Sequence, residues 1–183
     1  MRNDIQIIRS RLNEKAQQQQ AKRLLLRLLI LSSGLLFAAL LIIGMIQVKP
    51  QVEIPSIFYL GSVIIILSSA VLVAAKKAIV KDDLQIAVYL LVVSLGLGVA
   101  FGFIQLMGWS SLLATDTIGR NILLPFSAIH FSHLVVGIVF LFVVFKRLNN
   151  FQIHSKAILF TSNVFYFWHF LGLIWVAFIG VIA

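Results

Sequence analysis

Residues 124–137 read LPFSAIHFSHLVVG and set two histidines, His130 and His133, inside a run otherwise apolar and long enough to cross a bilayer. Ionisable side chains are costly in hydrocarbon; where they occur they face a bundle interior and mark partners or function. His169, within YFWHFLGLIW at 166–175, is the only other histidine inside an apolar run. The role of these three imidazoles is the question the sequence poses.

The broad class follows from composition. Of the 183 residues, 61% are hydrophobic, and the mean hydropathy is +1.04, which no soluble domain shows. The chain is an integral membrane protein. It has no cysteine, so disulfides and cysteine-ligated zinc, iron-sulfur or copper centres cannot be built from this polypeptide alone. Its net charge of +9 comes from Lys and Arg placed in short loops and a polar arm. That is the pattern of topology determinants rather than of a basic folded face, so no nucleic-acid partner is expected.

Residues 1–23 form a basic arm with Arg2, Arg9, Arg11, Lys15, Lys22 and Arg23 and a glutamine run at 17–20. It is no signal peptide, because the apolar stretch begins too late, runs too long and lacks a small-residue cleavage site. Ile5, Ile8 and Leu12 recur at helical spacing, so the arm suits either a short amphipathic helix on an anionic membrane or a solvated arm that holds the N-terminus in the cytoplasm.

From Leu24 onward apolar runs alternate with short polar breaks, giving spans at 24–48, 54–75, 84–107, 122–145 and 157–181. Each supplies the roughly 20 residues that a helix needs to cross a bilayer. An open sheet would leave unpaired backbone edges in lipid, and the runs lack the alternation of a membrane barrel. The fold expected is all-α, a domain of five transmembrane helices over 24–183 behind the 1–23 arm.

Orientation follows from charge. With the N-terminus inside, the inner segments carry thirteen Lys and Arg, seven of them in the arm with Arg27, then Lys76, Lys77 and Lys81, then Lys146, Arg147 and Lys156. The outer loops carry two, Lys49 and Arg120. This positive-inside bias puts the N-terminus in the cytoplasm and the C-terminus outside, with Trp109 and Trp175 near the outer interface where indoles settle. At about 1.5 Å rise per residue, His130 and His133 lie roughly 12 and 16 Å below the outer surface, and His169 roughly 18 Å above the inner one. All three share the middle of the membrane, and His130 and His133, three apart, project from nearly one helix face.

Three chemistries compete for such a cluster. Neutral imidazole is a common metal ligand, and two helices each offering a histidine can clamp a haem iron, here His130 or His133 with His169 in a self-contained redox protein. Against this, Phe131, Phe165, Phe167, Trp168 and Phe170 crowd the neighbourhood, and no Asp or Glu occurs inside any span. A proton or solute path through a transporter normally shows chains of ionisable groups, or repeats with broken helices. The sequence has no internal repeat, and only Pro125 falls within a span, one turn from its start. The third reading is neutral histidines hydrogen-bonded to hydroxyls, carbonyls or lipid headgroups as interhelical glue. Ser62, Ser68, Ser69, Ser94, Gly96, Gly98 and Gly102 lean the same way, as small residues that let helices approach. Gln105 beside Trp109 reads as an ordinary interfacial pair, and Asp82, Asp83 and Asp116 as solvated loop acids.

A resemblance adds to this. HFSHLVVG, YFWHF followed by IW, FYLGSVIIILSSAVLVAAKKAIVKDD and LGLGVAFGFIQLMGW occur in the order found in subunit III of the haem-copper terminal oxidases, the cytochrome c oxidase subunit III family. The likeness covers all five spans and resembles the short five-helix bacterial form, equivalent to the last five helices of the seven-helix version. It implies an accessory subunit of the bacterial inner membrane that binds no haem, copper or other metal and has no catalytic residues. Subunit I would hold oxygen reduction and proton pumping, and subunit II electron entry, within an assembly that can extend to a larger respiratory supercomplex. By the same likeness the chain buttresses subunit I, contacts phospholipid and sustains proton uptake. The matching positions are Gln105, Trp109, His130, His133, Gly137, Trp168, His169 and Trp175. The family commonly places acids where this chain has Gly34, Gly108 and Gly172, so a carboxylate-dependent relay does not carry over.

Overall fold

The computed structural model describes residues 2–47, 54–114, 118–149 and 155–182. They form five α-helices: α1 (Arg2–Gln47), α2 (Ser56–Val80), α3 (Leu84–Ala114), α4 (Ile118–Asn149) and α5 (Ser155–Ile182). No strand occurs among the described residues. Each helix contains a stretch long and apolar enough to cross a membrane: Arg27–Ile46, Ser56–Val80, Leu84–Ala114, Leu123–Asn149 and Phe160–Ile182. The expected all-α architecture with five spans is the observed one. Val48, Lys49 and Asp116 lie outside the described residues.

Helices run past the apolar limits because a bilayer sets only their minimum length; local turn chemistry ends them. α2 continues through Lys76 and Lys77 and stops where Asp82 takes a left-handed φ of 60°. The carboxylate of Asp83 then accepts the backbone N–H of Ile86 at 3.3 Å. Asp83, expected to be simply solvated, caps the N-terminus of α3. α4 begins at Ile118, so Pro125 sits two turns inside it rather than one. The helix continues through the proline, which has no N–H to offer the carbonyl of Asn121.

The chain divides into two compact units, Met1–Leu36 and Phe37–Ala183. The first is helical throughout from Arg2. Arg9, Arg11, Glu14, Gln17, Gln18 and Gln20 are exposed on it, as are Leu24, Leu25, Leu28 and Leu31 further along. The side chains of Ile5, Ile8 and Leu12 lie outside the described residues.

In the second unit α2, α3, α4 and α5 close a ring in which each helix packs on two neighbours, α2 against α3 and α5, and α4 against α3 and α5. The end of α1 joins them: the Phe37 ring lies 5.4 Å from that of Phe126. The core is aromatic, with Phe37, Phe58, Phe101, Phe126, Phe165, Phe167, Trp168, Trp175 and Phe178 all buried. Outside it, Val63, Ile66 and Leu67 on α2 and Val92, Phe103 and Leu106 on α3 are exposed. Lipid tails are as apolar as these side chains, so burial of grease does not drive the helices together; close packing and interhelical hydrogen bonds must.

Candidate functional site

The motif residues gather where α5 meets the other helices of the ring. Trp168 is the centre of that meeting. Its indole N–H donates to Ser68 Oγ on α2 at 3.2 Å. Ser68 Oγ donates in turn to the carbonyl of Ser94 on α3 at 2.9 Å, and Ser94 Oγ returns a bond to the carbonyl of Ser68 at 3.1 Å. The ring itself lies over two glycines, Gly98 on α3 and Gly137 on α4. A Cβ at Gly98 would overlap the indole; one at Gly137 would stand 3.1 Å from Trp168 Cε3. One side chain on α5 thereby fixes α2, α3 and α4.

The other indoles follow the same rule. Trp175 Nε1 donates to Ser62 Oγ on α2 at 3.1 Å, and Trp109 Nε1 on α3 donates to Ser127 Oγ on α4 at 2.7 Å. All three tryptophans of the chain therefore give their N–H to a serine on another helix. Trp175, expected at the outer interface, is fully buried. Phe58, Phe101 and His130 pack around it.

The three histidines have separate surroundings. His169 hydrogen-bonds through Nδ1 to Ser69 Oγ on α2. It lies half-buried beside a groove of about 520 Å³ lined by Ile65, Ile66, Gly172, Leu173 and Val176. His133 donates from Nδ1 to the carbonyl of Ile129, one turn back on its own helix, at 2.9 Å. His130 is wholly buried, with the rings of Trp175, Phe101 and Phe37 at 5.2, 5.9 and 6.0 Å. His130 and His133 do share a helix face, since both meet the Phe37 ring. The rings nearest His130 itself are not among Phe131, Phe165, Phe167, Trp168 and Phe170, the bulk expected around the three histidines together. Its walls come from Phe37 on α1, Phe101 on α3 and Trp175 on α5, with Phe126 of its own helix stacked at 6.5 Å.

This arrangement does not fit a haem held by His130 or His133 with His169. A haem iron needs two imidazoles facing each other across a macrocycle. Here one imidazole is walled by aromatic rings, one is tied to its own helix, and one is bonded across to α2. Among the described residues no group of three or more His, Cys, Asp or Glu is placed to hold a metal ion.

Comparison with known families bears on the same residues. A family model described as cytochrome c oxidase subunit III matches residues 33–182. The chain belongs to that family. As a cytochrome c oxidase subunit III it is part of a multi-subunit haem-copper oxidase and a multi-pass membrane protein, in a family that generally lacks redox cofactors. All eight motif positions, from Gln105 to Trp175, lie inside the matched region.

Of Gly34, Gly108 and Gly172, where the resemblance led acids to be expected, only Gly108 is accounted for by its surroundings. A Cβ at Gly108 would lie 2.5 Å from Phe58 Cζ, so the Phe58 ring fills the space over that glycine. At Gly172 a Cβ would meet only Ile65 Cγ1, at 3.5 Å, an ordinary contact on the groove beside His169. Gly34 lies on α1, in the Met1–Leu36 unit.

The structure places several residues differently from the sequence reading. Gln105, read from the sequence as an interfacial amide, is fully buried within the bundle. Gly96 faces open space and packs on nothing, unlike Gly98 and Gly102. The serines of α2 act as acceptors for indole N–H groups, not only as small residues. A donor count would have found this, because every indole N–H in lipid needs an acceptor and the protein must supply it.

Proposed function

We propose that this subunit III is a non-catalytic accessory subunit of a bacterial respiratory oxidase. In this reading it lies in the inner membrane with its N-terminus and basic 1–23 arm on the cytoplasmic side and its C-terminus outside. It buttresses subunit I and supports proton-coupled electron transfer to oxygen there. Haem and copper belong to partner subunits I and II, and electrons enter through subunit II.

One observation carries the proposal: the polar atoms of the α5 motif are committed to holding the bundle. Trp168, His169 and Trp175 bond to Ser68, Ser69 and Ser62, so each is a strut between α5 and α2. Gln105, Trp109, His130, His133 and Gly137 serve the α3–α4 side of the same core. The groove beside His169 is apolar apart from Ser69 and the imidazole, which suits the acyl chain of a membrane phospholipid.

The test is to purify the oxidase through an affinity tag on this chain, record the reduced-minus-oxidised spectrum, then strip the chain from its partners and record it again. Haem and oxygen consumption that copurify with the complex but stay with the remaining subunits are the expected result. Haem retained by the stripped chain would overturn the proposal.

A further inference from the structure

Two core side chains stand apart from the hydrogen-bonding pattern just described. Gln105 on α3 and His130 on α4 are both fully buried. Neither amide atom of Gln105 and neither ring nitrogen of His130 has a hydrogen-bond partner within the protein. Elsewhere the indole N–H groups and the serines facing them are matched, and the one other buried side-chain atom without a partner among the described residues is Ser33 Oγ on α1.

The packing register puts the two groups at one level. α3 and α4 run antiparallel, and Trp109 bonds to Ser127. Gly102, two turns along α3 from Trp109, faces Phe131 and Leu134. Between these two contacts, the position opposite Gln105 is 130–131. Phe101, one turn from Gln105 on the same buried face, meets the His130 ring edge-on at 5.9 Å.

We propose that Gln105 and His130 share one buried water, an amide–water–imidazole link between α3 and α4. The chemistry of the two groups favours a mediator. A neutral imidazole has one donor and one acceptor on opposite sides of its ring, and an amide has two donors and an acceptor oxygen. No direct bond joins the two groups here, whereas a water, which gives and takes in several directions and typically makes about three hydrogen bonds in such sites, reaches at least one polar atom of each. Lipid cannot serve instead, because the hydrocarbon core has nothing to bond with. Phe37, Phe101 and Trp175 also close around the imidazole. The link is a polar site inside the subunit, distinct from the serine–indole struts, and it does not depend on the accessory role proposed above.

The test uses the intact oxidase complex. A map that resolves ordered waters should show density within about 2.6–3.2 Å of both the Gln105 amide and the His130 ring. Gln105→Leu and His130→Phe, each leaving the other group without its link, should each weaken retention of the subunit under detergent challenge by about 5- to 150-fold. The double variant should lose no more than the worse single one, because it strands nothing. A map with amide and imidazole directly bonded, or with both apart and no density between, overturns the link. Single losses that multiply in the double variant, or single variants without effect, also overturn it. Where the double variant fails to assemble, the wild-type map decides alone.

Discussion

Gly137 and Trp168 touch across α4 and α5: a Cβ on the glycine would stand 3.1 Å from Cε3 of the indole. The glycine that closes HFSHLVVG is therefore the seat for the tryptophan of WHF, and two motifs thirty-one positions apart describe one contact. Gly98 supplies the other side of the seat, more tightly, since a Cβ there would fall within the indole itself.

Gly98→Ala should accordingly destabilise the subunit more than Gly137→Ala. Overpacking a filled core costs about 1–3 kcal/mol, with Gly98→Ala at the upper end. Thermal release of the subunit from purified complex measures both, and Gly98→Ala combined with Trp168→Phe should recover part of the loss by shrinking the ring. Equal tolerance of the two alanines would contradict the seat.

Ser68→Ala removes the acceptor of the Trp168 N–H and breaks the exchange with Ser94. A buried donor left unsatisfied costs about 1–3 kcal/mol. Ser62→Ala should act alike on Trp175, while alanine at exposed Ser110, whose hydroxyl only returns to its own helix at Met107, should be near neutral. Midpoints of heat-induced loss of the subunit would rank the three.

Gly108 and Gly172 should respond unequally to a side chain. Gly108→Ala drives a methyl into the Phe58 ring, whereas Gly172→Ala meets only ordinary contact. The first should reduce assembled subunit and the second leave it near wild type. Phe58→Leu should rescue Gly108→Ala, at the cost of some packing. Quantifying subunit stoichiometry in purified complex checks this, and a normal Gly108→Ala complex would refute it.

His169→Ala should leave the haem spectrum of assembled oxidase unchanged while shortening the number of turnovers before inactivation, because it removes a strut to Ser69 and no ligand. A lost or shifted haem band in fully assembled His169→Ala complex would count against this.

Much of the fold was legible because a bilayer imposes a simple length rule on apolar runs, and five runs of helical length appear as five helices. What was not legible were relationships between helices. Trp175 reads as an interfacial anchor when depth alone is considered, yet Phe58 and Phe101 from two other helices enclose it. Gln105 beside Trp109 looks like a wet pair, but α3 turns Gln105 inward to full burial while Trp109 reaches Ser127. Spacing places a residue along one helix; only packing decides which neighbour it meets. Gly96 shows the same limit, a small residue turned away from every partner.

The indole-to-serine bonds also set an order of events. α5 is synthesised after the helices that receive it, and its Trp168 and Trp175 find acceptors only on α2. A nascent chain carrying α2 to α4 holds Ser62 and Ser68 without those donors, and the seat that brings Trp168 to Ser68 also brings Trp175 to Ser62. The closing helix thus works as a keyed latch: it enters late, and two paired bonds to one earlier helix mark where it seats.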